Sequence, residues 1–240
     1  MNRAPSSGLF IAGTDTGVGK TRVAAAAIRA LREAGWPALG MKPVASGAEW
    51  HGSRLISDDT RDIAAASGLL ADDALDDITP YSFEPPISPH IAADRASIRI
   101  DIDVIEAAFQ RLQRRAGAGG VVIVEGTGGW LAPISDRLTM ADIAVRLKLP
   151  VVLVVGLRLG CLNHALLSAA AIEAAGLELA GWVGSAVDPA LEAAQENQAT
   201  LAARLGAKPL ALLPHAPGAA VPAAAMQAFS ALLSRRQARR

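Results

Sequence analysis

The sequence predicts a single α/β domain built on a doubly wound, mostly parallel β-sheet. Short apolar runs alternate with helical patterns along the whole chain, which is the order that parallel βαβ units require. The runs are almost continuously apolar, which is typical of strands covered on both faces. We see no internal repeat and no linker rich in proline, glycine or serine. The sequence therefore predicts one domain over residues 8–234, with a short extension at 1–7 and a basic tail at 235–240.

Six apolar runs are the predicted strands, and they lie at residues 8–13, 38–44, 121–126, 150–156, 179–187 and 209–214. Between them, apolar residues recur at helical spacing. The first helix is expected to stop at Gly35, because glycine favours the conformation that ends a helix. The predicted apolar faces consist of Val23, Ala27, Ile28 and Leu31, then Val104, Ile105, Ala108, Phe109 and Leu112, and finally Met226, Phe229, Leu232 and Leu233.

Two further helix starts and one irregular segment follow from local signals. Residues 139–142, TMAD, fit a capping box that opens a helix ending at Leu147. Asp188 followed by Pro189 fits an N-cap with proline at the first helical position. Residues 68–100 contain four prolines and exclude a long helix. A loop of that length in a compact domain tends to be functional.

Composition excludes several classes of protein. Among 240 residues, 23 are Lys or Arg and 23 are Asp or Glu, so the formal charge is zero, which argues against a nucleic-acid or membrane-surface binder. Cys161 is the only cysteine, so no internal disulfide forms, which suits a reducing cytoplasm. No signal peptide is visible, and no apolar run reaches the roughly 18 residues that span a bilayer. The four histidines lack metal-ligand spacing.

Residues 11–21, IAGTDTGVGKT, resemble a phosphate-binding loop with one residue too many. The usual spacing is G-x-x-x-x-G-K-[ST], but Gly13 lies one position too early for Gly19. The loop follows a predicted strand and precedes a helix, so its backbone N–H groups and the helix N-terminus favour an anion. In such a loop Lys20 reaches the β- and γ-phosphates and the Thr21 hydroxyl binds Mg²⁺.

Polar residues at the ends of other strands are the candidate partners of this loop. Glu125 ends a buried strand and is followed by a glycine-rich turn, so we interpret it as a metal or ligand contact rather than a solvated acid. Asp58, Asp59 and Asp62 also offer carboxylates, although here a helix cap made by Ser57, Asp58 or Asp59 is the stronger interpretation. Lys42 comes directly after the second strand, where it either stabilises a developing anion or lies at the surface.

These motifs, taken in order, resemble the dethiobiotin synthetase family, which carries a P-loop lengthened by one residue. The resemblance covers most of the chain and rests on GTDTGVGKT, KPVASG, PYSFEPPISPH, VEGTGGW, TMAD, LPVVLVVGLRLGCLNHALL and LAGW. It implies a P-loop NTPase fold and the ATP- and Mg²⁺-dependent joining of CO₂ or bicarbonate to 7,8-diaminononanoate. The implied route runs through a carbamate and a carbamic-phosphoric anhydride to dethiobiotin, ADP and phosphate. A homodimer is also implied.

The resemblance assigns roles residue by residue. The nucleotide would be held by Gly13, Thr16, Gly17, Val18, Gly19, Lys20, Thr21, Glu125, Ser185 and Pro214. Mg²⁺ would be held by Thr21, Asp59 and Glu125, with Asp59 preferred to Asp58 because it keeps the family's spacing to Ala66–Gly68. Catalytic contacts would come from Lys42, Lys20, Thr16 and Ser46. The substrate would contact Lys42, Ser46, Gly126, Thr127, Gly128, Gly160, Cys161 and Asn163, the last three across a dimer interface.

Two positions depart from the family pattern. Ser185 stands where an asparagine reads adenine, and a single hydroxyl cannot reproduce the paired contact of an amide. Nucleoside triphosphates other than ATP therefore stay open as co-substrates. Gly17 stands where some members carry a glutamate, which removes a charge near the phosphates.

Two alternative functions fit the sequence less well than the function that this resemblance implies. Another P-loop amidoligase, of the cobyrinate-synthase kind, needs an ammonia source, usually a glutaminase domain with a nucleophilic cysteine, and this chain has neither the length nor the cysteine context. A ParA/MinD-like ATPase would carry an additional lysine early in the loop, where residues 13–16 have none.

Overall fold

The computed structural model describes residues 7–69, 74–215, 221 and 223–238. Most of the predicted N-terminal extension and the last two arginines of the basic tail lie outside these residues, as does the side chain of Met226. Within the described part of the chain, no helix is both long enough and apolar enough to cross a membrane.

The predicted parallel sheet is confirmed. The described strands are β1 (Gly8–Gly13), β2 (Ala38–Met41), β3 (Val44–Ser46), β4 (Glu49–His51), β5 (Arg54–Ile56), β6 (Tyr81–Phe83), β7 (Val121–Glu125), β8 (Val151–Leu157), β9 (Leu179–Ala186) and β10 (Ala211–Leu213). Six of them form the central sheet in the order β10-β9-β8-β1-β7-β2, with every neighbouring pair parallel. The β1 strand is therefore central, and every carboxyl end opens on the same edge.

The run predicted as one strand over residues 38–44 is two strands, which corrects the sequence prediction. Strand β2 ends at Met41, whereas β3 pairs with β6 in a separate two-stranded sheet. Pro43 explains the break, because proline has no N–H to continue the ladder. The N–H of Lys42 already leaves the sheet and donates to the Ile78 carbonyl at 2.8 Å. The break leaves Lys42 at the carboxyl edge of the central sheet.

Helices cover both faces of the sheet. Those described are α1 (Lys20–Glu33), α2 (Asp58–Ala66), α3 (Leu75–Ile78), α4 (Pro89–Arg95), α5 (Ile102–Ala116), α6 (Met140–Leu147), α7 (Cys161–Ala174), α8 (Ala194–Arg204) and α9 (Ala223–Gln237). Helix α1 packs with α2 and α9, while α5 packs with α6 and α7 with α8. Right-handed crossovers place these two groups on opposite faces, which is the doubly wound arrangement.

Two helix details differ from the sequence prediction. Helix α8 begins at Ala194, not after Asp188, because the Asp188 carboxylate accepts the N–H of Ala190 at 2.9 Å and closes a local turn instead. Val104 is 43% exposed although it sits beside the apolar face of α5, whose other predicted members are buried.

The predicted capping box of α6 is confirmed, since the Asp142 carboxylate accepts the backbone N–H of Thr139 at 2.7 Å.

Replacing Asp142 with alanine is expected to lower the free energy of unfolding by about 1 kcal/mol, because the Thr139 N–H loses its acceptor at the start of α6. Urea unfolding followed by circular dichroism measures the change. Glu196→Ala, which also removes an acid from a first helical turn, is the matched control. Equal losses in the two variants would contradict a specific role for the capping box.

Candidate active site

The lengthened phosphate-binding loop connects β1 to α1. Gly17 and Gly19 adopt φ values of 73° and 89°, a left-handed region that favours glycine, and Gly19 is the N-cap of α1. The Thr14 N–H donates to the Val154 carbonyl at 2.9 Å, and the Gly156 N–H donates to the Thr14 hydroxyl at 3.2 Å. The loop is therefore seated on the carboxyl end of β8 and leaves the N-terminus of α1 open.

Beside this loop, one lysine is held between two carboxylates. The Lys42 Nζ lies 2.6 Å from Glu125 Oε1 and 2.9 Å from Asp59 Oδ2. The Thr21 Oγ1 lies 2.7 Å from Glu125 Oε1 and 2.8 Å from Asp59 Oδ1. Four residues that are far apart in sequence thus share one cluster, which we call the Lys42 cluster: Thr21, Lys42, Asp59 and Glu125.

The positions of these side chains follow from the ends of their elements. Glu125 is the last residue of β7, where it pairs in register with Ile11 of β1, and its side chain is 1% exposed. Asp59 is the second residue of α2, whose Ser57 cap accepts the Thr60 N–H at 3.1 Å. Asp58, one residue earlier, turns outward and pairs with Arg61. Geometry therefore brings Asp59, and not Asp58, to the loop.

Burial and neighbouring charge shift the pKa values of the Lys42 cluster. Burial opposes the charge on Lys42, but the Glu125 and Asp59 carboxylates outweigh it and raise the pKa of the ammonium. Burial likewise opposes the Asp59 carboxylate, whose pKa is nevertheless lowered, mainly by Lys42. Burial raises the pKa of the Glu125 carboxyl, although the nearby Lys42 ammonium acts in the opposite direction. The sequence reading that left Lys42 at the surface is wrong, because the residue is 2% exposed.

Lys20 faces the same space but bonds to its own loop. Its Nζ donates to the Asp15 carbonyl at 2.8 Å. Burial, together with the nearby charge of Lys42, lowers the pKa of the Lys20 ammonium to about 8. An anion bound at the loop would raise the pKa of the Lys20 ammonium again, because it would place a negative charge beside this buried cation.

A cleft of about 1180 Å³ extends from the loop along the carboxyl edge of the sheet. Its far wall comes from the proline-rich segment, which contributes Pro86, Ile87 and Ile91. The sequence marked that segment as functional without identifying its contacts. It did not identify Arg22 and Arg29, which line the cleft from one face of α1 and are recognisable only by their helical spacing.

The glycine-rich turn after β7 forms the floor of this cleft. A Cβ on Gly126 would meet the Phe10 ring at 3.1 Å, and Gly128 has a φ of 68°, so both positions favour glycine. The Thr127 hydroxyl donates to the Val44 carbonyl at 2.5 Å and ties the turn to β3. Among the described residues, two buried oxygens at this site have no hydrogen-bond partner, Ser46 Oγ and Glu125 Oε2.

Other predicted site residues lie at a distance from the Lys42 cluster. Ser185 is 5% exposed at the end of β9, and its Oγ would lie 3.2 Å from a Cβ built on Gly19. The Pro214 carbonyl accepts a hydrogen bond from Arg22 Nη1 at 3.2 Å. Both positions therefore lie beside the end of the loop and the first turn of α1. Val18 is 2% exposed and packs against Gly156.

The β8–α7 connection does not contribute to this cleft. Gly160, Cys161 and Asn163 are absent from its lining. Cys161 is 2% exposed, whereas Asn163 and the 90% exposed Leu159 face outward. The predicted substrate contacts of this segment are therefore not made within one chain.

Comparison of the sequence with known proteins gives several close relatives. A profile described as "AAA domain" matches residues 7–222. The chain is 49% identical to the ATP-dependent dethiobiotin synthetase BioD of Aromatoleum aromaticum over 210 residues, covering 88% of this chain and 91% of the relative. It is 46% identical to the protein of that name from Nitrosospira multiformis, covering 87% and 88% of the two chains.

Solved structures with a similar fold are far more distant in sequence. The MinD cell division protein of Aquifex aeolicus aligns with a TM-score of 0.54 at 16% identity, covering 97% of this chain and 98% of that one. MinD of Pyrococcus horikoshii, complexed with Mg-ADP, gives a TM-score of 0.53 at 16% identity and covers 96% of each chain. This likeness confirms the P-loop NTPase fold, and it adds nothing to the MinD-like alternative as a function.

Replacing Lys42 with methionine is expected to lower the free energy of unfolding by about 3 kcal/mol or more, because it leaves two partly or fully buried carboxylates without their cation. Urea unfolding in the presence of a chelator measures the loss. Lys208→Met, at an exposed lysine, is the control. Similar stabilities for the two variants would show that the Lys42 cluster does not depend on its ammonium.

Proposed function

Because this chain belongs to the dethiobiotin synthetase family, we propose that it closes the ureido ring of dethiobiotin from 7,8-diaminononanoate, CO₂ and ATP. The observation that carries the proposal is the Lys42 cluster, which lies between the phosphate-binding loop and the floor of an open cleft. Such a site presents cations and hydrogen-bond donors to a phosphoryl group and leaves room for a second substrate beside it.

The reaction requires two bonds to carbon and one phosphoryl transfer. One amine of the diamine adds to CO₂ and loses a proton to give a carbamate. A carbamate oxygen attacks the γ-phosphorus of ATP, and ADP leaves. The second amine then attacks the activated carbonyl, and phosphate leaves as the ring closes. The protein has to position these groups and stabilise negative charge, rather than supply a covalent nucleophile.

The loop provides the phosphate contacts. Backbone N–H groups of Gly17 to Thr21 and the N-terminus of α1 favour an anion. Lys20 would exchange the Asp15 carbonyl for the β- and γ-phosphates, which restores the charge that burial disfavours. Thr16 approaches the Gly126–Gly129 turn, since its Oγ1 would lie 3.7 Å from a Cβ on Gly128.

The donor set beside the loop fits Mg²⁺. Thr21, Asp59 and Glu125 offer hard oxygen ligands, and the unpartnered Glu125 Oε2 is buried beside them. Within the described residues, no cluster of three His, Cys, Asp or Glu side chains could hold a metal. Phosphate oxygens and water would therefore have to complete the coordination. Bound Mg²⁺ would neutralise the phosphates.

Lys42, Ser46 and the glycine-rich turn are the proposed contacts of the carbamate. If Asp59 and Glu125 held Mg²⁺, the Lys42 ammonium would be available to the carbamate and the transferred phosphoryl group. The unpartnered Ser46 Oγ and the backbone of Thr127 and Gly128, which line the cleft, offer polar groups to the reacting nitrogens. The apolar side chains of Ile87 and Ile91 suit the alkyl part of the diamine.

A homodimer completes the proposed site. Gly160, Cys161 and Asn163 are family contacts for the carboxylate end of the substrate, yet they lie outside the cleft of their own chain. We place them at the mouth of the partner's cleft. The lone cysteine suits the reducing cytoplasm, where we place the enzyme.

A mixture of the protein, Mg²⁺, bicarbonate, 7,8-diaminononanoate and ATP is expected to yield dethiobiotin and one phosphate per ring closed. Mass spectrometry detects the product, and repeating the assay with CTP, GTP and UTP covers the other bases. A chelator should abolish turnover, because the phosphates would lose their metal. Absence of dethiobiotin with all four nucleotides would refute the proposed function.

Lys20→Ala and Lys42→Ala are each expected to reduce kcat by about 100-fold or more, since each removes a cation aimed at developing negative charge. Steady-state phosphate release measures the loss, and Lys208→Ala is the control. Near-normal turnover in either cleft variant would remove that lysine from the mechanism.

Ser185→Asn is expected to raise kcat/KM for ATP relative to CTP, GTP and UTP by about tenfold, because an amide can pair with both edge groups of adenine. Ser185→Ala should leave the ranking of the four nucleotides within about twofold of the parent, since a single hydroxyl cannot make the paired contact that distinguishes one base from another. An unchanged ranking in the asparagine variant would show that this position does not read the base.

A further inference from the structure

The phosphate-binding loop contacts the β8–α7 connection through Asp15. One carboxylate oxygen, Asp15 Oδ1, accepts the Thr16 N–H at 2.7 Å, and the other pairs with the Arg158 guanidinium. The Asp15 carbonyl simultaneously accepts the Lys20 ammonium at 2.8 Å. One residue therefore contacts the phosphate-binding lysine with its backbone and a distant connection with its side chain.

Arg158 begins the segment that the proposed function assigns to a partner's cleft. Its carbonyl accepts the Cys161 N–H at 3.0 Å, which closes the turn leading into α7. Gly160 within this turn has a φ of 92°, and Leu159 is 90% exposed. The Gly160 carbonyl accepts the His164 N–H at 3.2 Å as α7 begins, and the Arg158 side chain ties the turn before this helix to the phosphate-binding loop.

We propose that Arg158 is a positioning residue, and that its ion pair with Asp15 couples nucleotide binding in one protomer to binding of the diamine's carboxylate end in the partner's cleft. The proposal rests on the proposed function for the identity of the two ligands. When Lys20 moves from the Asp15 carbonyl to the phosphates, the contacts of Asp15 change. Because the Arg158 side chain holds the Arg158–Cys161 turn to Asp15, we expect this turn to shift as well.

The ion pair is suited to this role because it is neither buried nor isolated. The side chains of Asp15 and Arg158 are 46% and 42% exposed, so the pair can shift without leaving a charge in the core. Thr14 and Val18 fix the rest of the loop against β8, which limits movement to the Asp15 segment. Burial opposes the charge on the Asp15 carboxylate, but the Thr16 N–H and the Arg158 guanidinium outweigh it and lower the pKa of this carboxyl.

The test measures coupling between the two ligands. Titration calorimetry gives the dissociation constant of Mg²⁺ with β,γ-imido-ATP, with and without saturating 7,8-diaminononanoate. For the unmodified protein we expect the diamine to tighten nucleotide binding by about fivefold, the lower end of typical site-to-site coupling. Arg158→Gln should reduce this factor to about one and raise the KM for the diamine about tenfold, with kcat changed less than about twofold.

Three further variants distinguish coupling from mere stability. Arg146→Gln breaks two ion pairs elsewhere, with Asp103 and Glu106, and should keep the full coupling factor. Arg158→Lys preserves the single charged contact and should restore coupling to within about twofold of the parent. Asp15→Asn keeps the acceptor for the Thr16 N–H, and its effect should not add to that of Arg158→Gln.

The possible results distinguish the Asp15–Arg158 coupling from the proposed function. No coupling in the unmodified protein, full coupling in Arg158→Gln, or equal loss in Arg146→Gln would overturn the link between Asp15 and Arg158. Dethiobiotin formation by the unmodified protein is measured separately by mass spectrometry. An active enzyme without coupling thus refutes this inference alone, whereas an inactive one refutes the proposed function.

Discussion

The arrangement of the whole site depends on one lysine that is buried between two carboxylates. Lys42 contacts Glu125 at 2.6 Å and Asp59 at 2.9 Å, and Thr21 contacts both acids from the phosphate-binding loop. A buried cation is tolerated only with such partners, because desolvation alone would strongly disfavour its charge. The cluster therefore constrains the loop, β2, α2 and β7 to one mutual placement, and that placement defines the cleft.

Sheet topology makes this cluster possible. The order β10-β9-β8-β1-β7-β2 puts the loop after β1 directly beside the end of β7, with β2 next in line. Because all six strands are parallel, their last residues meet on one edge. On the other side of β1, the ends of β8, β9 and β10 carry Arg158, Ser185 and Pro214. One half of the edge thus holds the Lys42 cluster, and the other half carries residues that we propose as contacts for the remainder of the nucleotide.

The lengthened loop contacts both halves of this edge. Gly17 and Gly19 lead into the start of α1 at Lys20. Earlier in the loop, the Asp15 carboxylate meets Arg158 just after β8. A loop whose spacing looks like a defect in a general nucleotide-binding motif therefore also contacts a segment outside its own cleft.

The sequence by itself determined the α/β class, nearly all of the central strands, the capping box of α6 and the presence of a phosphate-binding loop. These features depend on local patterns, because hydrophobic periodicity, glycine spacing and capping residues act within a few positions of each other. The preference for Asp59 over Asp58 came from the family's spacing, and geometry agrees with it, although its role as a metal ligand stays a prediction.

Only the tertiary structure decided which polar residues meet. The burial of Lys42, the break of the second strand at Pro43, the pairing of Asp15 with Arg158 and the absence of Gly160 from the cleft all depend on contacts between segments distant in sequence. A strand-end lysine has the same local sequence whether it faces water or two carboxylates. The difference lies in its neighbours across the sheet, and those are set by strand order rather than by the residues beside it.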